Sequence, residues 1–345
     1  MPALAVADEL RADGADVVFV GGERAEVELV PAAGYPLHPI RVEGLDRANP
    51  LRAARAVGVA AAAVGRCIGL LRMLRPDAVL GGGGYVAGPV GMAAVARGLP
   101  LVLSEADSYL GMANRLLAPF ARRVCLAFPL PGRTGDRYAV TGRPVSRLAT
   151  DRDRARRRLG IGSDETCLLV FGGSLGARSI NEAAVKGFAD APFHVLHIAG
   201  ARDFQALRQR VPANGTYDMR EYLTLDEFGE ALLASDLVLA RAGGSVFEIA
   251  AYGRPAILVP YPHAAADHQT ANARWMEAGG AAVVLPDAQL SAERLAATVG
   301  ELLEDAGRLA AMGRAAAALA RPDAARAIAD ELLTQAAAAR APRSA

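Results

Sequence analysis

The sequence is poor in aromatic residues, cysteine and long apolar runs. Aromatics make up 5% of the 345 residues against 52% hydrophobic residues. The apolar volume therefore comes from Ala, Val and Leu, which suits stacked α/β layers, and the length is a soft prior for two domains. The three cysteines, Cys67, Cys125 and Cys167, have no metal-ligand spacing. An odd, sparse set of this kind suits a reducing cytosol, and each reads as a small buried apolar residue. The longest uncharged apolar run, Ala56–Gly65, is far below the roughly 20 residues that span a bilayer. Met1–Leu10 carries acids and no apolar core, so no secretory signal is visible. These absences describe a soluble chain that can still touch a membrane surface. A net charge of +1 gives no global case for nucleic acid. Disorder is expected only in the Ala/Arg-rich tail, 336–345.

What is present is a repeated strand–turn–helix pattern. Pro2–Asp13 reads as an amphipathic helix, Asp16–Val20 as a strand, Ala53–Arg75 as a long helix and Asp77–Leu80 as a strand entering Gly81–Gly84. Helix Val86–Arg97, strand Pro100–Leu103, helix Leu110–Ala121 and strand Val124–Phe128 follow. Gly142-Arg143-Pro144 reads as a hinge, followed by a charged helix at Asp151–Leu159. A second series runs through strand Thr166–Phe171, helix Ser179–Phe188, strand His194–Ala199, strand Asp236–Ala240, helix Ser245–Ala251, strand Ala256–Val259 and helix Thr270–Ala278. Helices Ala292–Glu304 and Asp323–Thr334 close the chain. The expected fold class is α/β: two doubly wound, Rossmann-like domains with a cleft between them, ligands sitting beyond the carboxyl ends of the strands.

Three segments carry chemistry. Cys167–Phe171 runs into Gly172-Gly173-Ser174-Leu175-Gly176-Ala177 and then a helix. Glycines let the backbone approach a ligand, and a helix N-terminus suits a diphosphate. No Gly-Lys-Ser/Thr follows, so this is not a P-loop. A second such turn is Arg241-Ala242-Gly243-Gly244-Ser245, with Glu248 on the first turn of the next helix. Its carboxylate can accept both hydroxyls of a ribose or simply complement the helix dipole. The loop Pro260-Tyr261-Pro262-His263, with Asp267, His268, Gln269 and Asn272, can hydrogen-bond sugar hydroxyls or be a solvated loop capped by Asp267.

The strings FGGSLGA, RAGGSVFEIAAYGRPAILVPYPHAAADHQTANA, GGGGYVAGP and ANRLLAPFARRVCLAFP, in this family's order, resemble the MurG family. Its members are UDP-N-acetylglucosamine:undecaprenyl-diphospho-muramoylpentapeptide N-acetylglucosaminyltransferases of the two-domain glycosyltransferase B fold. The resemblance runs from Pro2 to about Asp330. It implies an inverting transfer of N-acetylglucosamine from UDP to the 4-hydroxyl of a lipid-linked muramoyl sugar. UDP-N-acetylglucosamine is then a substrate, no metal or other cofactor takes part, and the partners are an undecaprenyl-linked acceptor and the cytoplasmic face of the membrane, not nucleic acid. Residues 1–143 become the acceptor- and membrane-facing domain, with a helix over 321–335 packing back on it, and 144–320 the donor domain.

The resemblance also implies roles. Gly173, Ser174, Gly244, Ser245 and Val246 hold the donor diphosphate, and Glu248 the ribose. Leu223, with Tyr222, edges the uracil, and Gln269 with Asn272 nearby contacts the sugar hydroxyls. Gly82, Gly83, Gly84 and Tyr85 face the acceptor diphosphate, with Asp107 and Asn114 close by. Arg143 and Ser146 stand in the hinge motif on the donor side, and Glu105 is the best carboxylate for a base.

The chain departs from the family pattern in three places. The family's His-Glu-Gln-Asn is here Ser104-Glu105-Ala106-Asp107. Arg143 replaces the Asn of the family's Gly-Asn-Pro, and Ser146 its arginine, with Arg147 one step later. The chain opens directly with a helix where the family has a strand and a glycine loop ending in Gly-His. The expectation is that Met1 is an internal codon, that about 15–20 residues are encoded upstream, and that the strands near Val17–Val20 and Asp77–Leu80 lack a shared neighbour. Another UDP-sugar transferase, a 2-epimerase or an inactive UDP-sugar-binding protein are the alternatives.

Two further features have a bland and a functional reading. Arg47–Pro76 carries six arginines and no acid, so it is either a basic amphipathic helix for anionic lipid or a core-packing helix with a solvated face. Asp151-Arg152-Asp153 spells a metal-type Asp-x-Asp but sits at a charged helix, where no metal is expected.

Overall fold

The computed structural model describes residues 2–23, 26–42, 50–145, 148–173, 175–211 and 215–340. Ser146 and Ser174 lie outside these residues, as do Arg47–Asn49 of the arginine-rich segment. The chain divides into two compact units, Met1–Val145 with Arg321–Ala345, and Ser146–Ala320.

In the first unit the elements run α1 (Pro2–Ala12), β1 (Phe19–Gly21), α2 (Glu26–Ala32), β2 (Leu37–Pro39), α3 (Pro50–Leu74), β3 (Val79–Gly81), α4 (Gly84–Ala96), β4 (Leu101–Glu105), α5 (Met112–Leu117), β5 (Arg123–Leu126) and β6 (Tyr138–Val140). Strands β3-β4-β5-β6 form one parallel sheet, while β1 pairs in parallel with β2 in a separate sheet. Among the described residues, β1 and β3 share no strand between them. The larger sheet buries Leu101, Leu103, Val124 and Leu126 against α3, α4 and α5. Among the described side chains of α3, Ala63, Cys67 and Leu71 are buried, one stripe at a helical spacing of four.

The second unit runs α6 (Arg152–Leu159), β7 (Cys167–Phe171), α7 (Arg178–Gly187), β8 (His194–Ile198), α8 (Phe204–Arg208), β9 (Tyr217–Arg220), α9 (Leu225–Ala234), β10 (Leu237–Ala240), α10 (Val246–Ala251), β11 (Ala256–Leu258), α11 (His268–Ala278), β12 (Ala282–Val284), α12 (Ala292–Glu304) and α13 (Ala306–Leu319). All six strands are parallel, in the order β12-β11-β10-β7-β8-β9. Every residue of β7, β8 and β10 is buried. That is the pattern of central parallel strands covered on both faces, and it explains their near-continuous apolar runs. Asp151 of the Asp-x-Asp segment caps α6, its Oδ1 accepting from Arg154 N at 2.9 Å.

The chain then returns to the first unit as α14 (Ala324–Arg340), which packs on α1. Arg326 pairs with Asp13 at 2.7 Å and Arg123 with Glu331 at 2.8 Å. Of the tail expected to be disordered, 336–340 is helical as the end of α14, where the Arg340 guanidinium pairs with Asp77, and 341–345 lies outside the described residues. An alanine run is the best helix former once its first turns are anchored.

Candidate functional site

The strand order of the second unit reverses between β7 and β10, which pair with Phe171 beside Ala240. The chain leaves these neighbours at Gly172 and Arg241 and winds away in opposite directions. Such a switch point opens a crevice beyond the strand ends, where open α/β sheets bind ligands.

Sterics dictate the loop after β7. A Cβ on Gly172 would collide with Ala177, and one on Gly176, at φ 74°, with the carbonyl oxygen of Ala199. Gly173 takes φ 96° with open space around it. At the start of α7, the N-cap Ala177 carries no side-chain acceptor and makes no side-chain cap. Ser174 itself lies outside the described residues.

After β10, Ser245 is the N-cap of α10 without a side-chain cap, and Val246 is buried with its N–H on Gly243 O at 3.3 Å. Gly243 and Gly244 are partly exposed in this turn, and the half-buried Glu248 lies on the first turn of α10. After β11, Gln269 Oε1 accepts from Tyr261 N at 3.0 Å, tying the first turn of α11 to that loop. After β9, Leu223 is buried and Tyr222 is 62% exposed. Thr224 and Glu227 form a capping box that fixes this segment at the start of α9.

Asn272 lies on α11. Its side chain is 2% exposed and its Nδ2 donates to Ala242 O at 3.0 Å. The amide nitrogen supports the β10 turn from beneath, while its Oδ1 is buried with no hydrogen-bond partner among the described residues.

Sequence reasoning did not single out a buried polar chain behind the β7 loop. His197 of β8 meets Tyr217 Oη at 2.9 Å through Nδ1 and Asn181 Oδ1 at 3.1 Å through Nε2. Asn181 Nδ2 donates to Ala199 O at 2.9 Å and to Asp203 at 3.3 Å. Burial pushes the His197 imidazole down to about 4 and the Cys167 thiol of β7 up to about 12.

In the first unit the acceptor-side candidates surround the ends of β3 and β4. Gly83 and Gly84 take φ 81° and 75° at the N-cap and first residue of α4, and Tyr85 is 56% exposed. A Cβ on Gly83 would lie 3.7 Å from Asn114 Nδ2, which brings the glycine loop over Asn114. Arg143 Nη1 reaches Ala106 O at 3.5 Å. Asp107 is half-buried, and with Glu105 it adds to the burial that pushes the Tyr109 phenol up.

Glu105 ends β4 beside these groups. It is 6% exposed, and its carboxylate accepts from Asp107 N at 3.2 Å, Gly111 N at 2.8 Å and Asn114 Nδ2 at 2.9 Å. A buried carboxylate holding three donors shapes the loop between β4 and α5.

Among the described residues, no cluster of three or more His, Cys, Asp or Glu side chains is placed to hold a metal, and no helix is long and apolar enough to cross a membrane.

Known proteins agree with this layout. The glycosyltransferase family 28 N-terminal domain matches residues 1–126 and the family's C-terminal domain residues 167–328. A UDP-N-acetylglucosamine--N-acetylmuramyl-(pentapeptide) pyrophosphoryl-undecaprenol N-acetylglucosamine transferase from Rubrobacter xylanophilus is 42% identical, over 95% of this chain and 98% of the relative. The enzyme of the same name from Moorella thermoacetica is 40% identical, over 96% and 94%. The crystal structure of MurG from Acinetobacter baumannii superposes with a TM-score of 0.75 at 28% identity, covering 96% of this chain and 95% of that one. The calicheamicin glycosyltransferase CalG4, at 19% identity and a TM-score of 0.70, shares the fold. With both family domains in order and such relatives over nearly its whole length, the chain belongs to glycosyltransferase family 28, among the MurG-type N-acetylglucosamine transferases with the glycosyltransferase B fold.

Proposed function

We propose that this protein transfers N-acetylglucosamine from UDP-N-acetylglucosamine to the 4-hydroxyl of undecaprenyl-diphospho-N-acetylmuramoyl-pentapeptide, converting lipid I to lipid II in peptidoglycan synthesis. The observation that carries this reading is the switch point of the second unit. The glycine turns after β7 and β10 lie side by side there, with Glu248 on the first turn of α10.

In this reading the donor diphosphate meets the N–H groups of the two turns, Gly173, Gly244, Ser245 and their neighbours, and Glu248 accepts the ribose hydroxyls. Leu223 edges the uracil, and Gln269, whose Oε1 is held by Tyr261 N, offers its amide nitrogen to the sugar. The acceptor hydroxyl attacks the anomeric carbon and gives up its proton to a general base, the C–O bond to UDP breaks with inversion, and the negative charge on UDP develops against helix N-termini. That charge is met without a metal or other cofactor. The carboxylate of Glu105 is itself held by Asp107 N, Gly111 N and Asn114 Nδ2. Gly82–Gly84 and Tyr85 receive the acceptor diphosphate.

The protein works at the cytoplasmic face of the membrane as a peripheral enzyme, without nucleic acid as a partner. Arg66, Arg72 and Arg75 are exposed around Met73, itself 67% exposed, on and just after α3. Such a basic face with an apolar residue suits anionic lipid.

The test is transfer of labelled sugar from UDP-N-acetylglucosamine to a soluble-tailed lipid I analogue, with the product's linkage read by NMR. A β-linked disaccharide on the lipid is expected. Epimerised UDP-sugar, or donor binding with no product, overturns the reading.

A further inference from the structure

We propose that Arg241 is a positioning residue that holds the loops of the donor site at a fixed spacing, with Ser179 and Asp287 as its working partners. The proposal rests on the reading of this edge as the UDP-sugar site and adds residues to it that do not touch the substrate.

Arg241 follows β10 directly and is 9% exposed. Its Nη2 donates to Ser179 Oγ at 2.8 Å, in the first turn of α7. Its Nη1 donates to Asp287 Oδ1 at 2.6 Å, in the short 3-10 turn after β12. The same nitrogen lies 3.2 Å from the carbonyl oxygens of both Val259 and Pro260, where the chain leaves β11. Ser179 closes the triangle by donating its hydroxyl to Asp287 Oδ1 at 2.7 Å. The guanidinium also stacks 5.4 Å from the centre of the Tyr261 ring. One side chain thus joins the segments that follow β7, β10, β11 and β12, four of the six strands of the sheet.

The chemistry fits arginine and no other residue. A guanidinium presents five donors in a rigid plane, enough to reach a hydroxyl, a carboxylate and two carbonyls at once, whereas an ammonium is a compact point charge on a flexible stem. Asp287 neutralises the charge, so Arg241 is not a free cation waiting for the donor diphosphate. Its effect is geometric. The proposed site meets the diphosphate through backbone N–H groups on two separate turns, and these act together only at the right separation. Asn272 on Ala242 and Gln269 on Tyr261 brace the same turns from α11, so Arg241 completes a frame around the crevice.

Three variants test this in the full chain: Asp287→Asn, Ser179→Ala and Arg241→Lys. Each is followed by KM and kcat for UDP-N-acetylglucosamine, UDP affinity by calorimetry, thermal midpoint, and amide hydrogen exchange of residues 242–245 and 260–264. The expected result is a rise of about tenfold in KM and in the UDP dissociation constant, as for loss of a hydrogen bond to a charged group, with kcat much less affected. Amide exchange should speed up in those two loops and not in the strands. Arg241→Lys should fail to rescue, and adding Asp287→Asn to it should change little further, because one network is already broken. A lowered thermal midpoint with unchanged KM and unchanged loop exchange would mean plain structural support and overturns the proposal. A parent protein that binds no UDP overturns the functional reading instead, while loop exchange still decides whether Arg241 sets the loop geometry.

Discussion

Asn272 of α11 donates its side-chain N–H to the carbonyl oxygen of Ala242, 3.0 Å away and 30 residues earlier in the chain, with both residues buried. Ala242 begins the turn between β10 and α10. A turn of Ala-Gly-Gly has almost no side chains with which to fix itself, and glycine is the residue with most conformational freedom to lose. Its conformation must therefore be imposed from outside. Asn272 does so from α11 and Arg241 from the strand end.

Asn272→Asp should loosen that turn. A carboxylate cannot donate to Ala242 O, and it places a negative charge against a carbonyl oxygen in a buried site. Losing one partner of a buried hydrogen bond costs about 1–3 kcal/mol, so the thermal midpoint should fall by several degrees. The rise in midpoint that UDP gives the parent should shrink in the variant. A variant with the parent's UDP response would show that the turn keeps its shape unaided.

Glu248→Gln should weaken donor binding about tenfold or more, because two ribose hydroxyls lose a charged acceptor worth roughly 1.5–3 kcal/mol. Glu248 stands on the first turn of α10, so part of any stability loss will reflect the helix dipole. Calorimetry separates the two effects. Unchanged UDP affinity in a folded variant removes Glu248 from the site.

The parts of this fold legible in the sequence are those with strong local signals. Strands β7, β8 and β10 are unbroken apolar or nearly apolar runs ending in glycine turns, and the structure places them within a residue or two of expectation. Strands β2, β6, β9 and β12 are three or four residues long and carry no periodicity to read. Helix α13 is an alanine-rich stretch without a distinct apolar stripe, and α2 holds Pro31. Helix α9 did have a readable start, because Thr224 and Glu227 have the spacing of a capping box. Site roles were harder. A carboxylate at a strand end looks the same in sequence whether its lone pairs are open or, as in Glu105, taken by Asp107 N, Gly111 N and Asn114. The partners of Arg241 and Asn181 lie on other strands' loops, and only the folded sheet brings them together.

Replacing Arg66, Arg72 and Arg75 with Glu should reduce binding to vesicles of phosphatidylglycerol and phosphatidylcholine while leaving UDP binding intact. All three are exposed, whereas α3 is held to the core by Ala63, Cys67 and Leu71, which the variant keeps. Each basic residue near an anionic surface is worth about 1 kcal/mol, so reversing three charges should lower affinity on the order of a hundredfold or more. Equal sedimentation of variant and parent with the vesicles would make α3 a core-packing helix with a solvated face.

The last expectation concerns acid stability and rests on His197. Its side chain is fully buried, between Tyr217 and Asn181. Asn181 uses its Nδ2 to donate to Ala199 O and Asp203, so its Oδ1 is an acceptor and the imidazole must donate from Nε2. Nδ1 then accepts from the Tyr217 hydroxyl, and the ring is neutral. Burial lowers the folded pKa from 6.5 to about 4. The unfolded chain therefore binds this proton first as pH falls. Stability is complete above 6.5 and declines between 6.5 and 4, by about 3 kcal/mol over the whole window. His194, also buried and shifted down by burial, acts in the same direction, opposed in part by Glu165 at 3.7 Å. His197→Gln keeps a donor for Asn181 and an acceptor for Tyr217 but cannot titrate. Urea unfolding at a series of pH values from 7 to 5 should show a clearly shallower acid decline in the variant, whatever its stability at pH 7. Parallel curves would mean that His197 does not carry the acid sensitivity.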